Sequence, residues 1–375
     1  MPSVRAFMTP QKPLDVGPLT SQAEGIAWLQ RAVRAARHRP QAEVDRALQL
    51  YASQLTTDHI RSRASCLSDY THDEADRMVL FRAAEDGALS APLQARMAVF
   101  CAEARRLARD AFLDRDAPPD LAIQVSCTGY ESPHALQRTI VEHGWARTRF
   151  FHIGHMGCYA AIPSLSAACS LVADDARAKS APQEGCVLFI ELCTLHCAPQ
   201  NLEADQVVMN TLFADGAIRV DVSSHGEGAA FRVLGTAEVM IPDTAAEMTW
   251  TLSDSGFQMV LARTVPQRIG HGITSFVSGF LRSLGLDRAD VAHFAIHPGG
   301  PLIVDLVASR LEIPERAVRH TRAVLAARGN MSSATLPHIW HLMKEDPEVR
   351  PGDLVLSLAF GPGLTVTANA LQRAD

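Results

Sequence analysis

Three residue types in this chain, a thiol, an imidazole and a carboxamide, could together do acyl-transfer chemistry. Cys158 lies in Gly157-Cys158-Tyr159-Ala160-Ala161, and the small residues after it predict a helix running through Ala173. A thiol at a helix N-terminus faces free backbone N–H groups and the positive end of the dipole, which favours a nucleophilic thiolate. A single cysteine is by default a small buried hydrophobe, and the local sequence alone does not displace that reading. His297 ends an apolar run and is followed by Pro298-Gly299-Gly300-Pro301. That setting puts it at an edge, where a neutral imidazole pairs with a thiol; a satisfied structural histidine is the alternative. Asn330, in Gly329-Asn330-Met331-Ser332-Ser333-Ala334, reads locally as an N-cap or turn residue. Its functional reading is an amide donor to a developing enolate oxygen. A fourth segment, Phe360-Gly361-Pro362-Gly363-Leu364-Thr365, is a rigid loop able to wall a site.

These residues need elements to bring them together. Helical periodicity covers residues 22–36, 41–52, 93–112, 135–142, 266–284, 314–327 and 335–344, and apolar strands cover 121–125, 186–192, 218–222, 291–296 and 354–360. Such alternation predicts an α/β protein. The series strand 121–125, Cys158, strand 186–192 is repeated as strand 291–296, Asn330, strand 354–360. Cys158 lies 37 positions after Leu121, and Asn330 lies 38 after Ala292. The spacing predicts two related halves, 1–235 with the cysteine and 236–375 with the histidine and asparagine. Cys158 and Asn330 then open equivalent helices, and His297 sits at the carboxyl end of a strand, where open α/β sheets place ligands.

Composition narrows the function classes. A chain of 375 residues can bury a core for both halves, and 20% charged residues is ordinary for a soluble protein. A net charge of −6 without a Lys/Arg block argues against nucleic acid. Residues 150–173 are weakly charged, but His152, His155, Gly154, Gly157 and Pro163 within them suit a buried helix better than a membrane span. Eight cysteines without a CxxC pair, and no evident signal peptide, predict free thiols and a cytoplasmic protein. Cys193, His196 and Cys197 lack a second ligand pair, so no metal is expected, and no glycine-rich phosphate loop is present.

Taken together, the four motifs resemble in identity and order those of the type III polyketide synthases, the chalcone and stilbene synthase family: GCxAA at Cys158, HPGGP at His297, GNMSSA at Asn330 and FGPGLT from Phe360. The resemblance runs from about Tyr51 to Leu371. It implies a thiolase fold, a duplicated five-layer αβαβα architecture, and an acyltransferase that uses CoA thioesters as substrates and no cofactor. By the resemblance, Cys158 is loaded from an acyl-CoA starter, with His297 as imidazolium maintaining its thiolate. His297 and Asn330 bind the malonyl-CoA thioester during decarboxylative condensation. Family positions lining the cavity fall on Cys127, Thr128, Thr194, Cys197, Met209, Phe213, Met259 and Ser332. Phe213 matches an aromatic gatekeeper, and Met259 stands where a second aromatic usually does. Cys127 and Cys197 replace the threonines of the plant enzymes, a softer wall that favours an aliphatic starter and an alkylresorcinol or alkylpyrone product. Arg61 and Arg63 match the CoA-phosphate site. The family also implies a homodimer, with loop 130–133 crossing to the partner; delivery of acyl groups on CoA or on an acyl carrier protein is left open. Two other readings stand beside this one. They are a single-condensation enzyme like ketoacyl synthase III, and a non-catalytic thiolase-fold acyl-binding subunit, which has no need of the trio.

Overall fold

The computed structural model describes residues 6–35, 39–56, 58–72, 77–83, 89–199 and 201–374. The first part of the chain forms β1 (Ala6–Pro10), β2 (Leu19–Ser21), α1 (Gln22–Ala35), α2 (Gln41–Ser53), β3 (Ser62–Ala64), β4 (Arg82–Ala83), β5 (Leu89–Ser90) and α3 (Leu93–Asp110). It continues as β6 (Leu121–Ser126), α4 (Ala135–Glu142), β7 (Arg149–Gly154), α5 (Ala161–Lys179), β8 (Glu184–Leu192), α6 (Ala204–Leu212) and β9 (Asp215–Ser223). The second part comprises β10 (Phe231–Met240), a hairpin of β11 (Met248–Ser253) and β12 (Gly256–Leu261), α7 (Val265–Ser283), β13 (Val291–Ile296) and α8 (Pro301–Arg310). It ends with α9 (Arg319–Arg328), α10 (Thr335–Glu345), β14 (Leu354–Gly361) and β15 (Thr365–Arg373).

Nine strands form one sheet in the order β13-β14-β15-β10-β1-β9-β8-β6-β7. Pairing is parallel at β13/β14, β8/β6 and β6/β7 and antiparallel between the other neighbours. The strands of the two halves are thus joined through β1 and β10. The division between residues 235 and 236 falls inside β10, where its register against β15 shifts.

Alternation along the central strands explains the layering. On β8, Cys186, Leu188, Ile190 and Leu192 enter a core beneath α1–α3, while Val187 and Phe189 enter the core around α5 and α10. On β14, Leu356, Leu358 and Phe360 face a third core with α7 and α8, and Val355 and Ala359 face the middle one. Successive side chains point to opposite faces, so a strand buried on both must be apolar throughout. Helix α5 packs on β6, β8, β9 and β1 and also on β10 and β15, which makes it a shared middle layer.

The two halves carry matching turns. Gly157 (φ 80°, ψ −157°) precedes Cys158 and a 3₁₀ turn, Cys158–Ala160, that opens α5. Gly329 (φ 71°, ψ −161°) precedes Asn330 and a 3₁₀ turn, Ser332–Ala334, that opens α10. A Cβ at Gly157 would meet Pro362 Cδ at 2.9 Å, and one at Gly329 would meet the Leu212 carbonyl oxygen at 2.9 Å. Gly144 also has positive φ, at 69°, but nothing lies within 4 Å of its virtual Cβ. Replacing Gly144 with alanine should therefore cost only the backbone strain, about 1 kcal/mol. Gly157→Ala and Gly329→Ala should each cost a further ~1–3 kcal/mol in chemical denaturation. Equal losses at all three positions would show that the close approach is unimportant.

Candidate active site

Cys158 is half-buried at the start of its 3₁₀ turn. Burial pushes its thiol up to about 12, opposed by the neighbouring Ser332 and Asn330 side chains, which favour the thiolate. The FGPGLT loop lies directly against this turn: a Cβ on Gly361 would strike Tyr159 Cδ1 at 2.4 Å.

His297 follows β13 and is fully buried. Its backbone N–H donates to the Leu358 carbonyl at 2.7 Å, fixing the residue to β14. Neither ring nitrogen meets a partner among the described residues, and burial pushes the imidazole down to about 3. Burial of each group on its own disfavours its charged form, so a thiolate–imidazolium pair of the kind the resemblance implies would be held by the attraction between the two charges. Asn330 is held at three points. Its N–H donates to the Leu212 carbonyl at 3.0 Å, its carbonyl accepts from Ala214 N–H at 2.9 Å, and its Oδ1 accepts from Ser332 N–H at 2.8 Å. With Oδ1 occupied, the amide nitrogen is the end free to turn toward the site.

Two chambers meet at Cys158. The outer, about 590 Å³, is lined by Cys158, His297, Asn330 and Phe213 and by a mainly apolar wall from α2, α6, α7 and α8. The inner, about 50 Å³, is lined by Cys158 and by all eight residues matched to the family cavity, Cys127 through Ser332. Phe213 and Met259 border both chambers. The inner space is smaller than a long aliphatic starter needs, despite the soft Cys127, Cys197 and Met259 wall.

The two arginines part company. Arg61 is exposed. Arg63 is not at a tunnel mouth: it is 7% exposed, and its guanidinium donates to Gln22 Oε1 at 2.8 Å and to the Asn210 and Phe213 carbonyls at 2.9 and 2.7 Å. It clamps the gatekeeper segment and presents no fork to a phosphate, because a buried cation must bond the polar groups around it. His196, read beside Cys193 and Cys197, is a packing residue. Its Nε2 donates to the Thr128 carbonyl at 2.7 Å, its Nδ1 accepts from Phe257 N–H at 3.1 Å, and its ring stacks on Phe257.

Two site residues escaped the sequence analysis. Glu191 is fully buried on β8. Its carboxylate accepts from Cys127 N–H at 3.0 Å, from Thr128 Oγ1 at 3.1 Å and from the Ser333 hydroxyl. Burial pushes it up to about 7 against those bonds. The signal was available as one carboxylate within the apolar run 186–192. The second residue is Trp250 on β11, which lines the inner chamber. It had no signal, since β11 alternates like an exposed hairpin.

Comparison with known proteins bears on these observations. Residues 233–374 match the model of the chalcone and stilbene synthases, C-terminal domain. A 3,5-dihydroxyphenylacetyl-CoA synthase of Amycolatopsis orientalis is 32% identical over 220 residues, 58% of either chain. A 1,3,6,8-tetrahydroxynaphthalene synthase of Streptomyces coelicolor is 28% identical over 259 residues, 68% of this chain and 67% of that enzyme. The match thus spans less than two thirds of the first of these enzymes. The crystal structure of PKS-I from the brown alga Ectocarpus siliculosus superposes with a TM-score of 0.82 at 21% identity, over 99% of this chain and 97% of that one, and shows the shared fold. The chain shares the α/β thiolase fold of solved type III polyketide synthases, and its residues 233–374 match the C-terminal domain of the chalcone and stilbene synthases.

Proposed function

We propose that this chain is a type III polyketide synthase, a decarboxylating acyltransferase that uses CoA thioesters and works through Cys158, His297 and Asn330. The observation that carries the reading is the convergence of these three side chains on one cavity, with an imidazole whose two nitrogens are unpartnered. A buried polar group left without a bond costs about 1–3 kcal/mol, a feature typical of sites that receive a ligand.

Loading begins as Cys158 attacks the thioester carbonyl of the acyl-CoA starter. His297 takes the thiol proton, the S–acyl bond forms, and the proton returns to the departing CoA thiolate. Malonyl-CoA then places its thioester oxygen against the His297 N–H and the Asn330 amide. The bond to the carboxylate breaks, carbon dioxide leaves, and the electron pair becomes an enolate whose oxygen both donors hold more tightly than the starting carbonyl. The enolate carbon attacks the acyl–Cys158 carbonyl, and the C–S bond breaks. A proton from solvent restores the thiol, and the product is a β-ketoacyl-CoA one CH2–CO unit longer. Reloading repeats the cycle, and ring closure ends it.

The outer chamber, with His59, Arg263 and Leu302 toward its rim, provides the path for the CoA arm. Arg61, exposed nearby in sequence to His59, remains the phosphate-contact candidate of the original pair. For the homodimer, β7 ends the sheet and leaves Phe151 44% exposed, an edge a second copy can cover. No helix among the described residues is long and apolar enough to cross a membrane.

Cys158→Ala should abolish acylation by radiolabelled acyl-CoA and all product formation. His297→Gln and Asn330→Ala should each lower malonyl-CoA decarboxylation at least ~100-fold. Persistent chain extension by Cys158→Ala would falsify the assignment. Glu191 supplies a separate test. Its carboxyl is raised from 4.5 to about 7 on folding, so the folded state binds the extra proton between those pH values. Stability from this group should fall as pH rises from about 4.5 to 7 and level off above. Glu191→Gln should remove that slope from urea-denaturation midpoints, while an unchanged slope would mean the carboxyl is not the titrating group.

A further inference from the structure

Helix α6 ends against the site, and the last carbonyls of any helix lack partners within it. Here they are taken up by groups from three other parts of the chain. Arg63 Nη1 donates to the Asn210 and Phe213 carbonyls at 2.9 and 2.7 Å, and Gln22 Nε2 donates to the Thr211 carbonyl at 2.8 Å. The carbonyl between them, that of Leu212, accepts from the backbone N–H of Asn330 at 3.0 Å. Arg63 Nε donates in turn to Gln22 Oε1 at 2.8 Å, so the two side chains form one cap. Both are buried, and a cation at a helix C-terminus complements the negative end of the dipole.

The cap is anchored to the second half as well. Arg63 lies on β3, which pairs with β2 just ahead of Gln22. On the same strand, the Arg61 N–H donates to the Ala326 carbonyl at 2.7 Å and the Ser62 hydroxyl to the Ala327 carbonyl at 2.9 Å. Those carbonyls belong to the last turn of α9, immediately before Gly329 and Asn330. The stem of Arg63 passes Gly329 so closely that a Cβ there would meet its Cγ at 3.0 Å. The β2–β3 ribbon thus grips the ends of α6 and α9, the two segments that meet where Phe213 pairs with Asn330. Cys158 and His297 are placed by other contacts: the Cys158 turn lies against Pro362, and His297 hangs on the Leu358 carbonyl.

The Asn330 Oδ1 is tied to the Ser332 N–H at 2.8 Å, so the direction of its amide nitrogen follows its backbone. That backbone is bonded to the Leu212 carbonyl and the Ala214 N–H, on either side of the residue that Arg63 holds. We propose that Arg63 and Gln22 are positioning residues for Asn330, fixing its carboxamide through the cap of α6 at the place where it meets the malonyl-CoA thioester oxygen. This role rests on the polyketide synthase reading given above. Neither side chain touches the reacting atoms. Their removal lowers decarboxylation, which needs the Asn330 amide, and largely spares acylation, which needs the Cys158 thiol and His297.

The test measures malonyl-CoA decarboxylation and acylation of Cys158 by radiolabelled acetyl-CoA in wild type, Arg63→Met, Arg63→Lys and Gln22→Met. Arg63→Met and Gln22→Met are also made in an Asn330→Ala background. Arg63→Met should lower decarboxylation at least about tenfold while acylation stays within about threefold of wild type, since a misplacement of about 1 Å is enough for losses of that size. Arg63→Lys keeps the charge but not the fork that bonds two carbonyls, and should fall between wild type and Arg63→Met. Gln22→Met, which removes only neutral bonds, should lose less. In the Asn330→Ala background neither substitution should lower decarboxylation further, because a residue that acts through another adds nothing once that partner is gone. If Arg63→Met does not fold, Arg63→Lys and Gln22→Met carry the comparison. Wild-type decarboxylation in the folded variants overturns the proposal. So does a parallel loss of acylation, which marks a general disturbance of the site, and so does a further loss in the Asn330→Ala background. A wild-type protein that neither decarboxylates malonyl-CoA nor takes up an acyl group overturns instead the polyketide synthase reading.

Discussion

Backbone approach at the centre of the molecule governs everything built there. Cys158 and Asn330 both follow a glycine in the left-handed region, and each glycine touches a segment contributed from elsewhere in the chain: Pro362 in one case, the Leu212 carbonyl in the other. A side chain at either point would push those segments away. The Leu212 contact matters doubly, because the same stretch pairs with Asn330 through two backbone hydrogen bonds and carries Phe213 to the boundary between the chambers. Arg63 holds it from behind. The reactive groups are thus positioned by main-chain contacts between the halves, with little left to side-chain rotamers.

Around that scaffold, polar groups are treated unequally. Glu191 is bonded at both oxygens, yet its burial alone is enough to raise it to about 7. His196 has both nitrogens satisfied and serves packing. His297 has neither nitrogen satisfied, although it is as buried as any residue in the protein. One low-dielectric interior therefore contains a tied carboxyl, a tied imidazole and a free imidazole, and it is the absence of local bonds that marks the free one as available for chemistry.

Much of this was legible in the residues. The strands 121–125, 186–192, 291–296 and 354–360 were readable because burial on both faces demands continuous apolar runs. The correspondence of Cys158 and Asn330 was readable from their matched spacing after strands 121–125 and 291–296, and each follows a glycine of positive φ. β10 and β15 were missed for the converse reason: β15 carries Thr365, Thr367 and Asn369 at buried positions, so its core role is hidden by polar types. The predicted helix 314–327 divides into a 3₁₀ turn, Glu315–Val318, and α9, a break that periodicity alone does not mark. Arg63 and Trp250 show the firmer limit. Whether an arginine faces solvent or clamps a loop, and whether a tryptophan packs a hairpin or fills a cavity, depends on contacts with residues over 100 positions away.

The seam between the halves bears on how this chain reaches its native state. β1 pairs with β9 on one side and β10 on the other, so Ala6 must find Val233 and Phe7 must find Ser223. Contacts of such sequence separation demand that a long loop be closed before any pairing energy is returned, and they slow folding. A nascent first half would expose the edge of β9 until β1 docks, and the joint with the second half would stay open until β10 has been synthesised. β1 is thus the bridge across which the sheet becomes continuous, and until both of its neighbours have paired with it the unpaired edges of β9 and β10 are open to aggregation.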